Sequence, residues 1–474
     1  MHSPKYLNTH AHGRYVPPLQ SATTLDEFPI RRVTIGDLSD NVLLKIFHYD
    51  LAVSSQHWPR LVHICRRWRR IVFASQQALH LRIFCTHGTS VLKTLDCWPA
   101  QPIVVKYGGS LELDPPAPED EDNILAALKQ SDRISSISLT ITKSLLDKLS
   151  AIERPFSELE DLVLLSRDGL PLILPAAFLW GPRLRRLHST RIAIPTLFHL
   201  LHSSTNLVDL QLHEIFDSLQ FSPEALTNAL SGMAQLQSLS LHFLPTTNRH
   251  ALIPRPWRRA VLPVLTRLDF RGHSWYLEGL LAGIDAPRLG DIELTFLNRM
   301  LIHFPTLLEF IDRIEIHKSH RRAHILSSER AISISLTQPG APARLKLQLF
   351  CEPLSEQLLF MTRVWGHLSA SLFNVEGLRI STTRPSGQED GDYSGWWDLL
   401  NSFTGVRWFY IAGNLSTDIV CALQLPDRRG GTVIPSLHAL YIAQPGPRHA
   451  PLREAVVSFM TSRRLSGHHI VVGI

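Results

Sequence analysis

Three histidines, His317, His320 and His324, stand at i, i+3 and i+7 within one short stretch. On a helix that spacing lines imidazoles along a single face, and imidazole is a zinc ligand. Zinc would also need a further ligand or a water, in a place without competing cations. Lys318, Arg321 and Arg322 crowd the same stretch, so the preferred reading is a solvated basic surface. It is the best local candidate for meeting an acidic partner or a phosphate. A second pair, His10 and His12, sits in a polar stretch with Pro17 and Pro18 and reads as part of a flexible tail over residues 1–30. No metal or cofactor is expected.

Catalytic spacing is absent too. The chain has no Walker A loop, Gly-x-Ser-x-Gly elbow, HExxH pair or Rossmann glycine fingerprint, and it is not read as an enzyme. The five cysteines at 65, 85, 97, 351 and 421 form no CxxC pair. They read as reduced, mostly buried thiols of a cytoplasmic or nuclear protein. No apolar run approaches a membrane span, and the N-terminus lacks the apolar core of a signal peptide. The net charge of +6 is spread over 474 residues. No aromatic-basic module accompanies it, so nucleic acid is not an expected partner.

Any surface for binding must be positioned by two kinds of element. The first is the stretch Ile35 to Phe73. Leu38, Val42, Leu43, Ile46 and Phe47 follow the spacing of one helix face. After a polar break over residues 54–57 the pattern resumes with Trp58, Leu61, Val62, Cys65, Trp68, Ile71 and Val72. Two or three short helices around a small core are predicted. So short a unit cannot turn every apolar side chain inward, and those left over find a partner. Arg66, Arg67, Arg69 and Arg70 read as a solvated or partner-facing rim.

The second kind of element is a repeat. From Ile134 onward a pattern, apolar-x-x-apolar-x-apolar, recurs at intervals mostly between 22 and 31 residues. Examples are Ile134/Ile137/Leu139, Leu207/Leu210/Leu212, Leu265/Leu268/Phe270, Ile311/Ile314/Ile316 and Val406/Phe409/Ile411. That period is in or near the leucine-rich-repeat range. Each unit holds one strand with alternate residues in a shared core, and a helix or turn leads back to the next. Prolines before the strands (Pro182, Pro263, Pro287, Pro435) end the preceding helix. Ser222-Pro223-Glu224 is a sound helix start. Helices are also predicted over Thr89 to Leu95, Asn123 to Lys129, Leu354 to Leu372 and Pro451 to Leu465.

Some features depart from the pattern. Regular repeats place Asn three residues after the third apolar position, and only Asn414 stands there. Between Lys318 and Phe373, Ile332/Ile334/Leu336 and Leu345/Leu347/Leu349 alternate with period two, as paired strands do. Gly387 to Gly395 reads as a polar loop. Trp396 and Trp397 open a helix, as core or as a rim of the binding face. Glu119 to Asp122 reads as a solvated acidic loop.

The opening stretch resembles a known family. Leu38-Ser39-Asp40-Asn41-Val42-Leu43-Leu44-Lys45-Ile46-Phe47, followed by Ile64-Cys65-Arg66-Arg67-Trp68-Arg69, is similar to an F-box. Ser39 stands where that family has Pro. Ser can cap a helix through its hydroxyl. The segment from Cys85 to Tyr107 resembles the stretch that follows the F-box in many fungal F-box proteins, where it joins the F-box to a repeat domain. The resemblance implies an α/β chain in four parts. These are a tail (1–30), a helical F-box module (31–78), a linker with a first repeat-like unit (79–133), and an irregular leucine-rich-repeat solenoid or horseshoe (134–474). It further implies a Skp-type adaptor and cullin scaffold as partners, met through Leu38, Leu43, Ile46, Phe47, Leu61, Cys65 and Trp68. An unidentified protein substrate would be held by the repeats. The alternative is a leucine-rich-repeat scaffold with no link to ubiquitin ligation.

Overall fold

A period-two strand buries one row of side chains and offers the other to solvent. Eleven or so such strands in series, each led by a helix-stopping proline or turn, need a single shared sheet to satisfy their edges. The computed structural model has that sheet. It describes residues 34–473 except 54, 99–100, 108–117, 153, 167–171, 175–177, 179–180, 194–196, 217–220, 246–258, 298–303, 315–319, 341–343, 369–374, 384–392, 427–430 and 444–449. The tail over residues 1–30, with His10 and His12, lies outside the described residues, as does most of Gly387 to Gly395. The chain divides into two compact units, the second beginning at Arg82.

The first unit is helical. A 3-10 turn, Ile35–Asp37, leads into α1 (Asp40–Val53); a second, Ser55–His57, precedes α2 (Trp58–Ile64), and α3 (Arg66–Ala74) follows. The Ser39 hydroxyl accepts the Val42 amide at 3.4 Å, a weak cap for α1.

The second unit contains β1 (Ile83–Cys85), β2 (Ile103–Tyr107), β3 (Ile134–Ile141), β4 (Asp161–Ser166), β5 (Leu172–Ile173), β6 (Arg186–Thr190), β7 (Ile192–Ala193), β8 (Asp209–Ile215), β9 (Ser238–Phe243) and β10 (Ala260–Val261). It continues with β11 (Arg267–Gly272), β12 (Ile284–Asp285), β13 (Asp291–Phe296), β14 (Arg322–Ser327), β15 (Ala331–Thr337), β16 (Arg344–Phe350), β17 (Gly377–Thr382), β18 (Trp408–Ala412), β19 (Ala439–Ala443) and β20 (Val471–Gly473). Sixteen of these make one sheet, ordered β1-β2-β3-β4-β6-β8-β9-β11-β13-β16-β15-β14-β17-β18-β19-β20. The pairs β5–β7 and β10–β12 stand apart as small parallel ribbons. The architecture is mixed α/β with one long, mainly parallel sheet.

The predicted apolar triplets form its core. Leu210, Leu239, Leu268, Ile292, Leu378, Phe409 and Leu440 are all essentially buried. Truncating one of them to Ala typically costs ~2–5 kcal/mol. The Asn ladder of regular repeats is missing, and a backbone device holds the strand entries together instead. One carbonyl accepts two consecutive amides of the next strand. Glu160 O takes Arg185 N and Arg186 N at 2.7 and 3.0 Å, and Thr266 O takes Gly290 N and Asp291 N at 3.1 and 2.9 Å. Glu376 O takes Arg407 N and Trp408 N at 2.7 and 3.0 Å. The same arrangement on both sides of the period-two stretch keeps one register across the sheet.

That stretch is where the chain leaves the repeat. β14, β15 and β16 form an antiparallel meander, with Ile332, Ile334 and Leu336 opposite Leu349, Leu347 and Leu345, as their alternation predicts. Because the meander doubles back, β16 neighbours β13 and β14 neighbours β17, both in parallel. The expected repeat at Ile311/Ile314/Ile316 is not a strand. Ile311 lies in the helix Pro305–Arg313 and is buried with Leu307 and Phe310, a spacing that suits a helix equally well. Ile316 lies outside the described residues.

Three other expectations change. Strands already begin at β1 and β2, inside the segment read as linker and first unit; they are too short to display a period. Asp120 and Glu121 are not solvated. They belong to the helix Pro118–Leu128, are buried, and pair with His87 Nδ1 at 2.8 Å and Lys148 Nζ at 2.6 Å. A first-turn position suits acids, since the helix N-terminus is positive. Only Cys85 and Cys351 of the five cysteines are buried, and none is in a disulfide. The Ser222 hydroxyl caps the helix Pro223–Leu230 through the Ala225 amide at 3.2 Å, as predicted. Tyr393–Leu400 carries Trp396 into the core. No described helix is long and apolar enough to cross a membrane.

Candidate functional site

Two surfaces qualify. The first is on α1, which carries two apolar stripes. Leu43, Phe47 and Leu51, at helical spacing, are buried. Val42, Ile46, Tyr49 and Val53 form a second stripe at i, i+4, i+7 and i+11, and they are 42, 40, 77 and 89% exposed. The seven residues singled out from the sequence therefore separate. Leu43, Phe47 and Leu61 are core, and Phe47 meets half-buried Trp68 with ring centroids 4.6 Å apart. Ile46 and Cys65 are exposed, and Leu38 is half-buried. The Cys65 sulfur accepts the Trp68 amide at 3.5 Å and so caps α3. Residue type could not separate the two stripes, because both are apolar at helical spacing.

The arginines of α3 do more than form a rim. Arg67 donates to Gly36 O at 2.7 Å, to Leu38 O at 2.6 Å and to Asp40 Oδ1 from both Nε and Nη2 at 2.9 and 2.7 Å. Arg69 Nε donates to Val62 O at 3.0 Å. These guanidiniums tie the start of α1 and the end of α2 to α3.

The second surface is the solvent face of the long sheet, and it changes character along the strand order. In the middle, polar groups satisfy one another. Arg186 grips Asp161 through two hydrogen bonds of 2.6 and 2.7 Å. Glu293 receives Arg344 Nη2 at 2.7 Å and the Lys346 ammonium. Three imidazoles form a ladder on neighbouring strands. His188 and His213 have ring centroids 4.9 Å apart, and His213 stacks on His242 at 4.1 Å. Ser240 Oγ lies 2.9 Å from His213 Nε2 and donates to Asp269 Oδ2 at 3.2 Å, and His242 Nε2 lies 3.1 Å from the same carboxylate oxygen. Ser240 and Asp269 both approach His242 at Nε2, which is not the arrangement of a nucleophile, base and orienting acid. Burial pushes His213 down to about 4, helped by the charges His242 and His188 would carry. Asp269 is held below the usual carboxylate range by its bond to His242, against the effect of burial.

Beyond the meander the face becomes aromatic and cationic. A groove of about 380 Å³ lies over β14, β17, β18 and β19. One register row reads Arg322, Gly377, Trp408; the next reads His324, Arg379, Tyr410, Tyr441. Trp408 and Tyr441 are 48 and 44% exposed. The Arg379 guanidinium lies over the Tyr410 ring at 4.7 Å, and its Nε donates to Ser381 Oγ at 3.3 Å. Ser381 also contacts His324 Nε2 at 3.2 Å. Burial, then the charge of Arg379, holds the His324 imidazole below its ordinary value.

The histidine series seen in the sequence is not a helix face. His320 is buried ahead of β14, His324 sits on the strand's solvent row, and His317 and Lys318 lie outside the described residues. Among the described residues no group of His, Cys, Asp and Glu is placed to hold a metal. Arg322, part of the basic stretch read as a candidate for an acidic partner or a phosphate, stands at the groove. Trp408 and Tyr441 were missed because single strands do not disclose their neighbours.

Comparisons with known proteins add little. No family profile matches the chain, and no curated protein matches it. Among solved structures it has a likeness to the leucine-rich repeat-containing protein LegL7 from Legionella pneumophila. That likeness is 13% identical, covers 82% of this chain and 99% of that one, and has a TM-score of 0.26. A score so low carries no argument here.

Proposed function

We propose that this chain is the substrate-recognition subunit of an SCF-type ubiquitin ligase. The helical unit docks on a Skp-type adaptor, itself joined to a cullin scaffold, and the solvent face of the sheet holds a protein target. The chain makes and breaks no bond itself. It acts by raising the target's effective concentration beside the ubiquitin donor. The observation that carries the reading is the outward stripe Val42, Ile46, Tyr49 and Val53, on the unit whose sequence is F-box-like. An exposed apolar helix face of this kind fits a protein groove.

The test is binding of purified full-length chain to purified adaptor. Ile46→Asp with Tyr49→Asp abolishes binding and leaves the thermal transition in place. A wild-type chain that ignores the adaptor removes the reading. Leu43 and Phe47 are poor probes, because charging a buried position unfolds the unit. Their burial also favours the second reading, a repeat scaffold unconnected with ubiquitin ligation, since folding alone accounts for those signature positions. The adaptor titration separates the two.

A further inference from the structure

Among the described residues, neither Arg322 nor Arg379 has a carboxylate at ion-pair distance, whereas Arg321 beside them reaches Glu376 at 4.0 Å. On the middle of the same sheet Arg186, Arg344 and Lys346 each have such a partner, while Arg271 lies over the Phe350 ring at 5.5 Å. Arg379 is also held in place, its guanidinium over the Tyr410 ring and its Nε bonded to Ser381 Oγ, and neither of its Nη groups makes a hydrogen bond among the described residues. An oriented guanidinium with unused donors suits a carboxylate, which it can bind through two parallel bonds.

Gly377 gives the groove its depth. It occupies a solvent-row position between Arg322 and Trp408, where every neighbouring unit has a side chain. A Cβ there would meet only Arg322 Cγ, at an ordinary 3.7 Å. Neither crowding nor backbone conformation demands glycine, and glycine weakens a strand interior. The missing side chain leaves open the space between a guanidinium and an exposed indole.

We infer that this groove binds an acidic, extended segment of a partner protein. Two carboxylates of the segment pair with Arg322 and Arg379, and an apolar side chain between them lies over Gly377 against Trp408 and Tyr441. Arg, Trp and Tyr are the residues that dominate protein interfaces. A nucleic-acid backbone calls for a long track of cations; here two guanidiniums sit among aromatic rings. The inference rests on the sheet face being the target surface, and it is independent of the adaptor.

The experiment is fluorescence-anisotropy titration of full-length chain with short labelled peptides at low and high salt. One peptide alternates Asp or Glu with Leu, one replaces the acids by Gln, and one replaces them by phosphoserine. A single-stranded oligonucleotide serves as a fourth probe. The acidic peptide binds best, more weakly at high salt, and Arg322→Glu or Arg379→Glu each lowers affinity about tenfold or more. Gly377→Trp blocks binding while the melting temperature holds. Preference for the Gln peptide, the phosphoserine peptide or the oligonucleotide overturns the inference, as does equal affinity in the Gly377→Trp variant. If no probe binds, the inference falls. The target-surface reading then survives only if Arg379→Glu and Trp408→Ala strip the intact chain of a target it captures without them.

Discussion

The middle of the sheet and its stretch beyond the meander share a backbone plan and differ in what their solvent rows do. Around β4 to β16, Asp161 answers Arg186 and Glu293 answers Arg344 and Lys346. Around β14 to β19, Arg322 and Arg379 face aromatic rings and a glycine. Self-paired charges hold neighbouring units in register; unpaired ones cost nothing to the fold and are available to a ligand. On a long sheet of this kind, scaffold and candidate binding surface can therefore be told apart by asking which polar groups already have partners.

The largest effect expected from breaking this contrast is on stability in the middle. Glu293→Ala removes the acceptor that Arg344 and Lys346 share, though Arg344 keeps Asp291 at 3.8 Å, and should lower unfolding free energy by about 1 kcal/mol in denaturant titrations. Arg379→Ala, on the other stretch, should change it by no more than about 0.5 kcal/mol. Equal losses at the two sites would erase the distinction.

Acidification should also act through the middle. His213 titrates at about 4 in the folded chain against 6.5 ordinarily. Between those values the unfolded chain binds the proton and the folded one does not, so stability falls as pH drops from about 6.5 towards 4. His188 and His324 are lowered as well and add in the same direction. Asp209 and Asp269 oppose part of the effect at His188 and His213 respectively. His213→Phe should flatten the slope in this window. Parallel pH profiles for wild type and variant would place the acid sensitivity elsewhere.

The smallest effect is the most pointed. Gly377→Val should raise stability by about 0.5 kcal/mol, since a β-branched residue replaces glycine in a strand. It should also weaken peptide binding. A stabilised variant with full affinity would mean that Gly377 has no part in recognition.

Much of the fold was legible because period two and the leading prolines are local. The residues of the triplets at Leu210, Leu268 and Phe409 could be placed in the core from spacing alone. The groove was not legible, because the meander sets β14 beside β17 and so brings Arg322 to Gly377, which pairs with Trp408 on β18. Asp120 and Glu121 misled for a related reason: their partners His87 and Lys148 come from other elements. In the helical unit, spacing put Val42, Leu43, Ile46 and Phe47 on one helix face, whereas Leu43 and Phe47 are buried and Val42 and Ile46 are exposed.

On the proposed function, the stripe on α1 and the groove on the sheet bind different partners. A crossed binding measurement on full-length chain tests it most directly, with purified Skp-type adaptor and acidic peptide each titrated against Ile46→Asp/Tyr49→Asp and Arg379→Glu/Trp408→Ala. The account predicts that the first pair of substitutions loses the adaptor and keeps the peptide, and that the second loses the peptide and keeps the adaptor. A wild-type chain that binds no adaptor, or folded variants that lose both ligands together, would contradict it.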